Sequence, residues 1–543
     1  MILALVLLPA IAGLAAFVIR RDGLRRLLLL CTALAHSACV IAAWRMCPLR
    51  QFGDWLVLDS LGLLFLSITS SLFLAAAFYA TGYLAREART DHRDSEEGML
   101  FSNAPEATFT GCLLLFLSTM TLVAASQHFG ILWVAVEATT LASAPLIHFH
   151  RHHRSLEATW KYLLICSVGI AVALLGNFFL AAAVSPGAGG QDPQALSMTV
   201  QQLVAHAAGL NVTWLKAAFL LFLVGYGTKM GLAPLHTWLP DAHSEAPSVI
   251  SALLSGALLN CAFLAILRVY SVLAAAGLAP FCQQLLIAFG LLSMGFAAVF
   301  IIVQVDFKRM LAYSSVEHMG ILALGIGVGG AAGLGALLHT VNHSLTKAML
   351  FLVAGNIIAV YKTKSTSQVR GLLRTLPVSG VLWVAGFLAI TGSPPFGPFM
   401  SELKILMAAM QNHLVASVIC LALLAIIFVG MARIVLPMAF GRRGDAGILP
   451  ARGEDVPPSS ESSVREEHDA DKMSATHAGE TPAAQRGQDG LATRGRDARV
   501  TKESLLSVLP PAALCLAVLA LGLYVPADLS NAIDQAIRSL GVP

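Results

Sequence analysis

Apolar residues in this chain come as long, nearly unbroken runs separated by short polar stretches. They show neither the period-2 alternation of strands nor the one-sided stripe of a surface helix. A membrane-spanning helix needs about 20 predominantly apolar residues. Runs of that kind lie near 1–19, 27–44, 58–83, 108–125, 127–147, 158–184, 212–232, 247–273, 283–303, 310–329, 332–360, 377–410, 413–440 and 504–525. The pattern predicts an all-α polytopic membrane protein with about 14 transmembrane helices. The fourth and fifth runs are close enough to merge. Two runs carry helix breakers: the seventh at Gly227, Gly231 and Pro234, the twelfth at Pro394, Pro395, Gly397 and Pro398. The first run, MILALVLLPAIAGLAAFVI, meets its basic residues (Arg20, Arg21, Arg25, Arg26) only at its end. A signal peptide has the opposite order, so this reads as a retained first helix with its N-terminus outside.

Composition sharpens this picture. Hydrophobic residues are 57% and charged residues 12%, against roughly 25% charged in soluble chains. Of the 66 charged residues, 22 sit between Arg442 and Glu503, in a tract rich in Gly, Pro and Ser. That tract cannot bury a core and is expected to be a disordered insert. A soluble enzyme, a nucleic-acid binder and a secreted disulfide protein are excluded, and a net charge of +4 implies no polyanionic partner. The nine cysteines form no CxxC and have no iron–sulfur or nickel spacing. No cofactor is therefore expected on this chain, and the metals of any redox machine would lie on other chains. With the N-terminus outside, the inside loops collect Arg20, Arg21, Arg25, Arg26, Arg86, Arg89, Arg93, Arg151, Arg154, Lys308, Arg309, Lys362, Lys364, Arg370 and Arg374, against Arg45 and Arg50 outside. This asymmetry predicts an even helix count, both termini outside and a cytoplasmic 441–503 insert.

An ionisable side chain at the bilayer centre costs at least ~2.5–3.5 kcal/mol on insertion scales, so each one in a span needs a reason. Glu137 lies mid-span in ILWVAVEATTLASAPLI. Lys229 lies in the interrupted seventh run. His318 follows Glu317 in DFKRMLAYSSVEHMG. His339, His343 and Lys347 recur every fourth residue, on one helical face. Glu402, with Lys404, follows the break of the twelfth run. Buried Glu and Lys approach neutrality, where His already titrates, so such a row has the chemistry of a proton relay. Interhelical ion pairing accounts for any one of these residues but poorly for all of them. Lys308 and Arg309 read as anchors at an inside boundary. Arg268, near a helix end, fits neither reading better. His236, Asp241, His243 and Glu245 lack the spacing of a zinc site and read as a polar bend. His148, His150, His152 and His153 read as an interfacial basic cluster.

The two interrupted runs stand five helices apart, an odd offset that implies opposite orientation. Helices four to eight and nine to thirteen would then be inverted repeats, with Glu137 and His318 on corresponding helices. The expected organisation is helices one to three (1–107), a first repeat (108–275), a second repeat (276–440), the insert (441–503) and helix 14 (504–543). The segments GTKMGLAPLHTWLPDAHSEAPSVISALLSG, DFKRMLAYSSVEHMG, HTVNHSLTKAMLFLVAG and GSPPFGPFMSELKIL resemble the proton-translocating antiporter-like membrane subunits. That family is shared by respiratory complex I (NADH:quinone oxidoreductase), multisubunit sodium/proton antiporters and membrane hydrogenases. LWVAVEATTLASAPLI and LEATWKYLLICSVGIA look most like the F-type membrane subunit of hydrogenase-4, a relative of formate hydrogenlyase.

The resemblance spans roughly 100–440. It implies two inverted five-helix repeats with broken helices seven and twelve, and a plasma-membrane subunit whose partners form a hydrogenase or dehydrogenase arm. It also implies relay roles for Glu137, Lys229, His339, His343, Lys347 and Glu402. Where many relatives carry a helix-eight lysine, SGALLNCAF supplies Asn260, and His318, Lys347 or water would have to carry the central link. The expected function is a proton-pumping subunit of a redox complex in which Glu137 and Lys229 form an ion pair. The alternative is a sodium/proton antiporter subunit. A small-solute transporter and a chain that itself transfers electrons are weaker fits, the last for lack of clustered cysteine.

Overall fold

In lipid every backbone N–H and C=O must be satisfied within the segment, which is why uninterrupted apolar runs become helices. The computed structural model describes residues 1–87, 101–184, 197–441 and 503–541. Arg89, Arg93 and nearly all of the 441–503 insert lie outside the described residues. The first three spans are α1 (Ile2–Val18), α2 (Asp22–Trp44) and α3 (Ser60–Glu87). Then come α4 (Glu106–Ala125), α5 (Phe129–Ile147), α6 (His153–Val184), a short α7 (Val200–Ala205) and α8 (Val212–Met230), which is followed by α9 (Trp238–Glu245). The eighth span joins α10 (Ser248–Leu253) to α11 (Leu259–Ala275). Next are α12 (Ala279–Ile302), α13 (Phe307–Val328), α14 (Ala331–Tyr361), a short α15 (Leu372–Thr375), α16 (Pro377–Ile390), α17 (Gly397–Asn412) and α18 (Leu414–Phe440). The chain closes with α19 (Leu505–Leu523) and α20 (Ala527–Ser539).

Each of the 14 expected spans coincides with a helix or, at the eighth and twelfth, with a pair of helices, α10 with α11 and α16 with α17. The fourth and fifth stay separate because Ser126 and Gln127 leave the helix and the His128 ring accepts from Gly130 N–H, capping α5. Three features escape the hydropathy pattern. A hairpin pairs β1 (Leu49–Gln51) with β2 (Leu56–Leu58). A π-helical turn, Leu254–Leu258, interrupts the eighth span. The amphipathic α20 lays Ala532, Ile533, Ala536 and Ile537 against the body.

Both broken spans end their first half in the same way. Gly231 takes φ +86° and Gly392 φ +63°, conformations open to glycine at little cost. Leu232 N–H then bonds Gly227 O at 2.9 Å and Gly231 N–H bonds Thr228 O at 3.2 Å. Ser393 N–H likewise bonds Leu388 O at 2.9 Å and Gly392 N–H bonds Ala389 O at 3.2 Å. Each is a Schellman ending, in which a left-handed glycine satisfies carbonyls the helix has orphaned. Trp238 Nε1, at the start of α9, donates to Thr228 O at 2.8 Å and holds the second half against the first.

Ser248–Ala275 is buried over its whole apolar window, whereas α2, α6, α18 and α19 bury about a third of theirs. The eighth span is therefore central, and the others face the surroundings. Between helices in lipid, association rests on close packing and hydrogen bonds. α12 and α13 meet at Gly290 and Gly320, where an added Cβ would come within 2.7 and 2.6 Å of the opposing glycine's carbonyl. Polar ties cross the bundle: Arg26 is bidentate on Glu106 at 2.8 and 2.7 Å. Buried Arg268 donates to Ala124 O at 2.9 Å and pairs with Asp59 at 3.4 Å, which gives it a structural role. Glu503 accepts from Val378 N–H at 3.0 Å and Ser379 N–H at 3.2 Å, capping α16. Gly441, at the other end of the insert, lies against Gly371 and Arg370.

Gly320→Leu is expected to force α12 and α13 apart at ~1–3 kcal/mol. A lower melting temperature of the detergent-solubilised protein, with Gly295→Ala as a tolerated control facing open space, checks this.

Candidate functional site

Two networks of ionisable residues, one holding Glu137 and Lys229 and the other His318, His339, His343 and Glu402, each lie beside one broken helix. In the first, Lys229 occupies the last turn of α8, where the helix's C-terminal carbonyls favour a cation. It is fully buried. Its Nζ donates to Thr140 Oγ1 and to Tyr162 OH at 3.3 Å, and it lies 5.2 Å from the Tyr162 ring centroid. Thr140 Oγ1 donates to Glu137 Oε2 at 3.3 Å, and Ser167 donates to Glu137 Oε1 at 2.8 Å. The expected direct ion pair between Glu137 and Lys229 is not formed in this state: the Thr140 hydroxyl stands between them. Tyr162 OH continues to Ser143 Oγ at 2.7 Å.

The second network surrounds the break between α16 and α17. His318 Nδ1 meets His339 Nε2 at 2.9 Å, and His339 Nδ1 meets Ser401 Oγ at 2.9 Å. Ser401 gives its own hydrogen to Pro398 O at 2.9 Å. It must therefore accept from His339, which assigns the proton to Nδ1 and leaves Nε2 to accept from His318. Rings of His318, His339 and His343 lie 5.0 to 6.5 Å apart. Both nitrogens of His343, Nε2 of His318 and Oε1 of Glu402 are buried without a protein hydrogen-bond partner. Donor atoms of His318, His339 and Glu402 lie within 4.8 Å of one another. This His–His–carboxylate set is one a zinc-class ion accepts; its hydrogen-bonded order runs from ring to ring to the Ser401 hydroxyl and ends at the Pro398 carbonyl. Gly392 makes room for the Glu402 carboxylate and Gly397 for the Asn342 amide, since a Cβ at either would collide with them.

Between the networks, Lys347 donates to Leu311 O at 2.7 Å and to Ser314 Oγ. Buried Glu317 lies one turn further along the same helix as Ser314. Asn260, just past the π turn, donates to Gly256 O at 2.8 Å and to Ser344 Oγ at 2.7 Å. Ser255, within the turn, meets Ser315 at 2.8 Å. The helix-eight position is thus a hydrogen-bonded amide that carries no charge and neither gains nor loses a proton at ordinary pH.

Three expectations change. Lys308 is a buried strut, not a boundary anchor: it donates to Ser244 O at 3.1 Å and Ala246 O at 2.6 Å, at the C-terminal end of α9. The stretch 148–153 is a hydrogen-bonded loop more than a basic patch. His150 bridges Asn103 at 2.7 Å and Tyr83 at 3.1 Å, and His148 meets Ser155 at 3.0 Å. Burial, with Arg151 and His152 beside it, holds His148 below the ordinary imidazole value. The stretch 236–245, expected as a polar bend, is mostly the helix α9; its acidic side chains are paired, Asp241 with Lys161 at 2.9 Å and with Arg309, and Glu245 with Lys364 at 2.7 Å. Sequence reasoning passed over Thr140, Tyr162, Ser167 and Ser401. Hydroxyls carry no charge penalty to flag them, and only their spacing from Glu137 and Glu402 hints at a role.

A polytopic bundle with two broken spans and buried Glu, Lys and His defines an antiporter-like ion-translocating subunit. Residues 126–428 match the family described as NADH:quinone oxidoreductase/Mrp antiporter, transmembrane, and the chain belongs to that family. It is 38% identical over 397 residues to the hydrogenase-4 component F homolog of Methylacidiphilum infernorum (isolate V4), covering 73% of this chain and 81% of that one. It is 29% identical over 381 residues to hydrogenase-4 component B of Escherichia coli (strain K12), 68% of this chain and 52% of that protein, so it spans about half of that relative's length. Its fold matches a chain of the membrane-bound sulfane sulfur reductase, an archaeal respiratory membrane complex, with a TM-score of 0.78 and 19% identity over 99% of this chain and 97% of that chain.

Gly392→Val is expected to displace the Glu402 carboxylate and destabilise the break by ~1–3 kcal/mol. Loss of ion translocation, with near-normal activity in Ser393→Ala at the neighbouring position, is the outcome to look for in reconstituted vesicles.

Proposed function

We propose that this chain is the proton-translocating membrane subunit of a redox-driven complex of the hydrogenase-4 or NADH:quinone oxidoreductase kind. The observation that carries the reading is the placement of two proton-competent networks deep in apolar helices, one beside each helix break. Glu137, Thr140 and Lys229 serve the inside half; Lys347, His343, His339, His318 and Glu402 serve the outside half. Between them Asn260 orients the link without holding a charge, so Lys347 and bound water carry the proton past the eighth span. Redox chemistry belongs to partner subunits of a hydrogenase or dehydrogenase arm. Moving one charge against 100 mV costs about 2.3 kcal/mol, which that arm supplies.

The units 108–275 and 276–440 act as two inverted half-channels; the matching Schellman endings at Gly231 and Gly392 support that pairing. The positive-inside asymmetry supports a plasma-membrane subunit with both termini outside and the 441–503 insert in the cytoplasm. A subunit of a multisubunit sodium/proton antiporter is the second reading, favoured by a family shared with Mrp antiporters. The same residues would then exchange protons for sodium without an electron donor.

In proteoliposomes of the whole complex, Lys229→Ala is expected to abolish proton translocation per electron while electron transfer continues. Unchanged pumping would refute the assignment, and sodium-dependent proton flux without any electron donor would favour the antiporter reading.

A further inference from the structure

Buried threonines in this bundle follow a habit. Thr69, Thr121, Thr228, Thr340 and Thr346 each donate their hydroxyl hydrogen to the carbonyl four residues back, at 2.7 to 3.0 Å. Thr139 gives its hydrogen to Val136 O at 2.6 Å. This back-bonding is the ordinary way for a helix to silence a hydroxyl in lipid. Thr140 departs from it. Its hydrogen goes to the Glu137 carboxylate, and its oxygen receives the Lys229 ammonium. A hydroxyl has one hydrogen to give and two lone pairs to receive with, so Thr140 is oriented from Lys229 towards Glu137.

The competing route from Lys229 passes through the Tyr162 phenol and reaches no carboxylate or imidazole. Ser143 gives its hydrogen to Thr139 O at 2.7 Å. Tyr162 must therefore donate to Ser143, and the path stops at a backbone carbonyl. Among the described residues, the hydroxyl path from Lys229 that reaches a carboxylate runs through Thr140.

Resting on the reading under Proposed function, we propose that the Thr140 hydroxyl conducts the proton between Lys229 and Glu137. In the step, a Lys229 Nζ–H bond breaks as the proton bonds to Thr140 Oγ1. The original Thr140 O–H bond breaks as that proton bonds to Glu137 Oε2. One proton moves, no electron does, and the products are a neutral amine, a neutral carboxyl and a threonine whose hydrogen now points back towards Lys229. Two opposite charges, a fully buried ammonium and a half-buried carboxylate, become two neutral groups. Rotation about the Thr140 Cβ–Oγ1 bond restores the starting orientation. The hydroxyl also keeps the two charged groups from closing into a direct pair that would hold the proton on lysine.

The test uses the whole complex in proteoliposomes, with Thr140→Val (same shape, no hydroxyl), Thr140→Ser (hydroxyl kept) and Lys229→Ala side by side. Proton translocation per electron and the infrared C=O band of protonated Glu137, identified by its loss in Glu137→Gln, are read during turnover. Thr140→Val is expected to slow translocation by roughly 10²-fold or more, the range of a lost positioned proton-transfer group, and to erase the band. Thr140→Ser is expected to restore both to within a few-fold. Native pumping in Thr140→Val, or a band that persists there, overturns the inference. If Thr140→Val does not assemble, Thr140→Ala is read by the same band. Lys229→Ala separates the two claims: native pumping in that variant removes the underlying function, whereas loss there with normal pumping in Thr140→Val removes only the role of Thr140.

Discussion

Hydrocarbon offers no water to a polar group, so the backbone that this chain carries into the bilayer finds its partners within the protein, and buried polar side chains depend on one another or on water held inside the bundle. That constraint selects helices for the spans. It also decides how the helices end. Where α8 and α16 stop inside the membrane, glycines in left-handed geometry fold the next N–H groups back onto orphan carbonyls, and Trp238 supplies a further donor to the first of them. A break made this way is a defined, hydrogen-bonded place, next to which Lys229 and Glu402 are held.

The same constraint separates what the sequence discloses from what it hides. Runs of apolar residues are long and few polar side chains interrupt them, so the spans, the two breaks and the ionisable residues were legible. Their grouping was only partly so. Helical spacing places His339, His343 and Lys347 on one face, but nothing in one dimension says that His318 from α13 reaches His339 or that Ser401 receives from it. The Glu137–Lys229 link illustrates the limit. Opposite charges invite a direct pair, and a neutral hydroxyl one turn along α5 took the position between them. Lys308 shows the reverse error. A lysine at a helix start reads as an anchor to the membrane surface, yet the free carbonyls ending α9 capture it. The hairpin and α20 were missed because hydropathy detects only segments that cross the bilayer.

The two networks are not copies. One is built on an amine, a hydroxyl and a carboxylate, the other on imidazoles, a serine and a carboxylate, with an amide between them. An imidazole gives from one nitrogen while accepting at the other, so a proton can pass through it without the ring's departure. An amine must swing or hand its proton to a neighbour. On the proposed reading, the first half therefore needs an intermediary or a movement at each turnover, whereas the rings of the second would pass a proton by changing tautomer. The π turn at Leu254–Leu258 lies beside this difference and releases backbone carbonyls from regular spacing where the central residues meet.

Both ends of the 441–503 insert are fastened to one short stretch of chain. Gly441 rests on Gly371, and Glu503 caps the helix at Val378 and Ser379. The folded body therefore holds the two ends of this tract near one short stretch of chain. A flexible connection between two fixed ends costs only ≈ 0.6 kcal/mol more for each doubling of its length. Its length is nearly neutral to the stability of the bundle, and sequence can accumulate or vanish there without disturbing the helices that carry the protons.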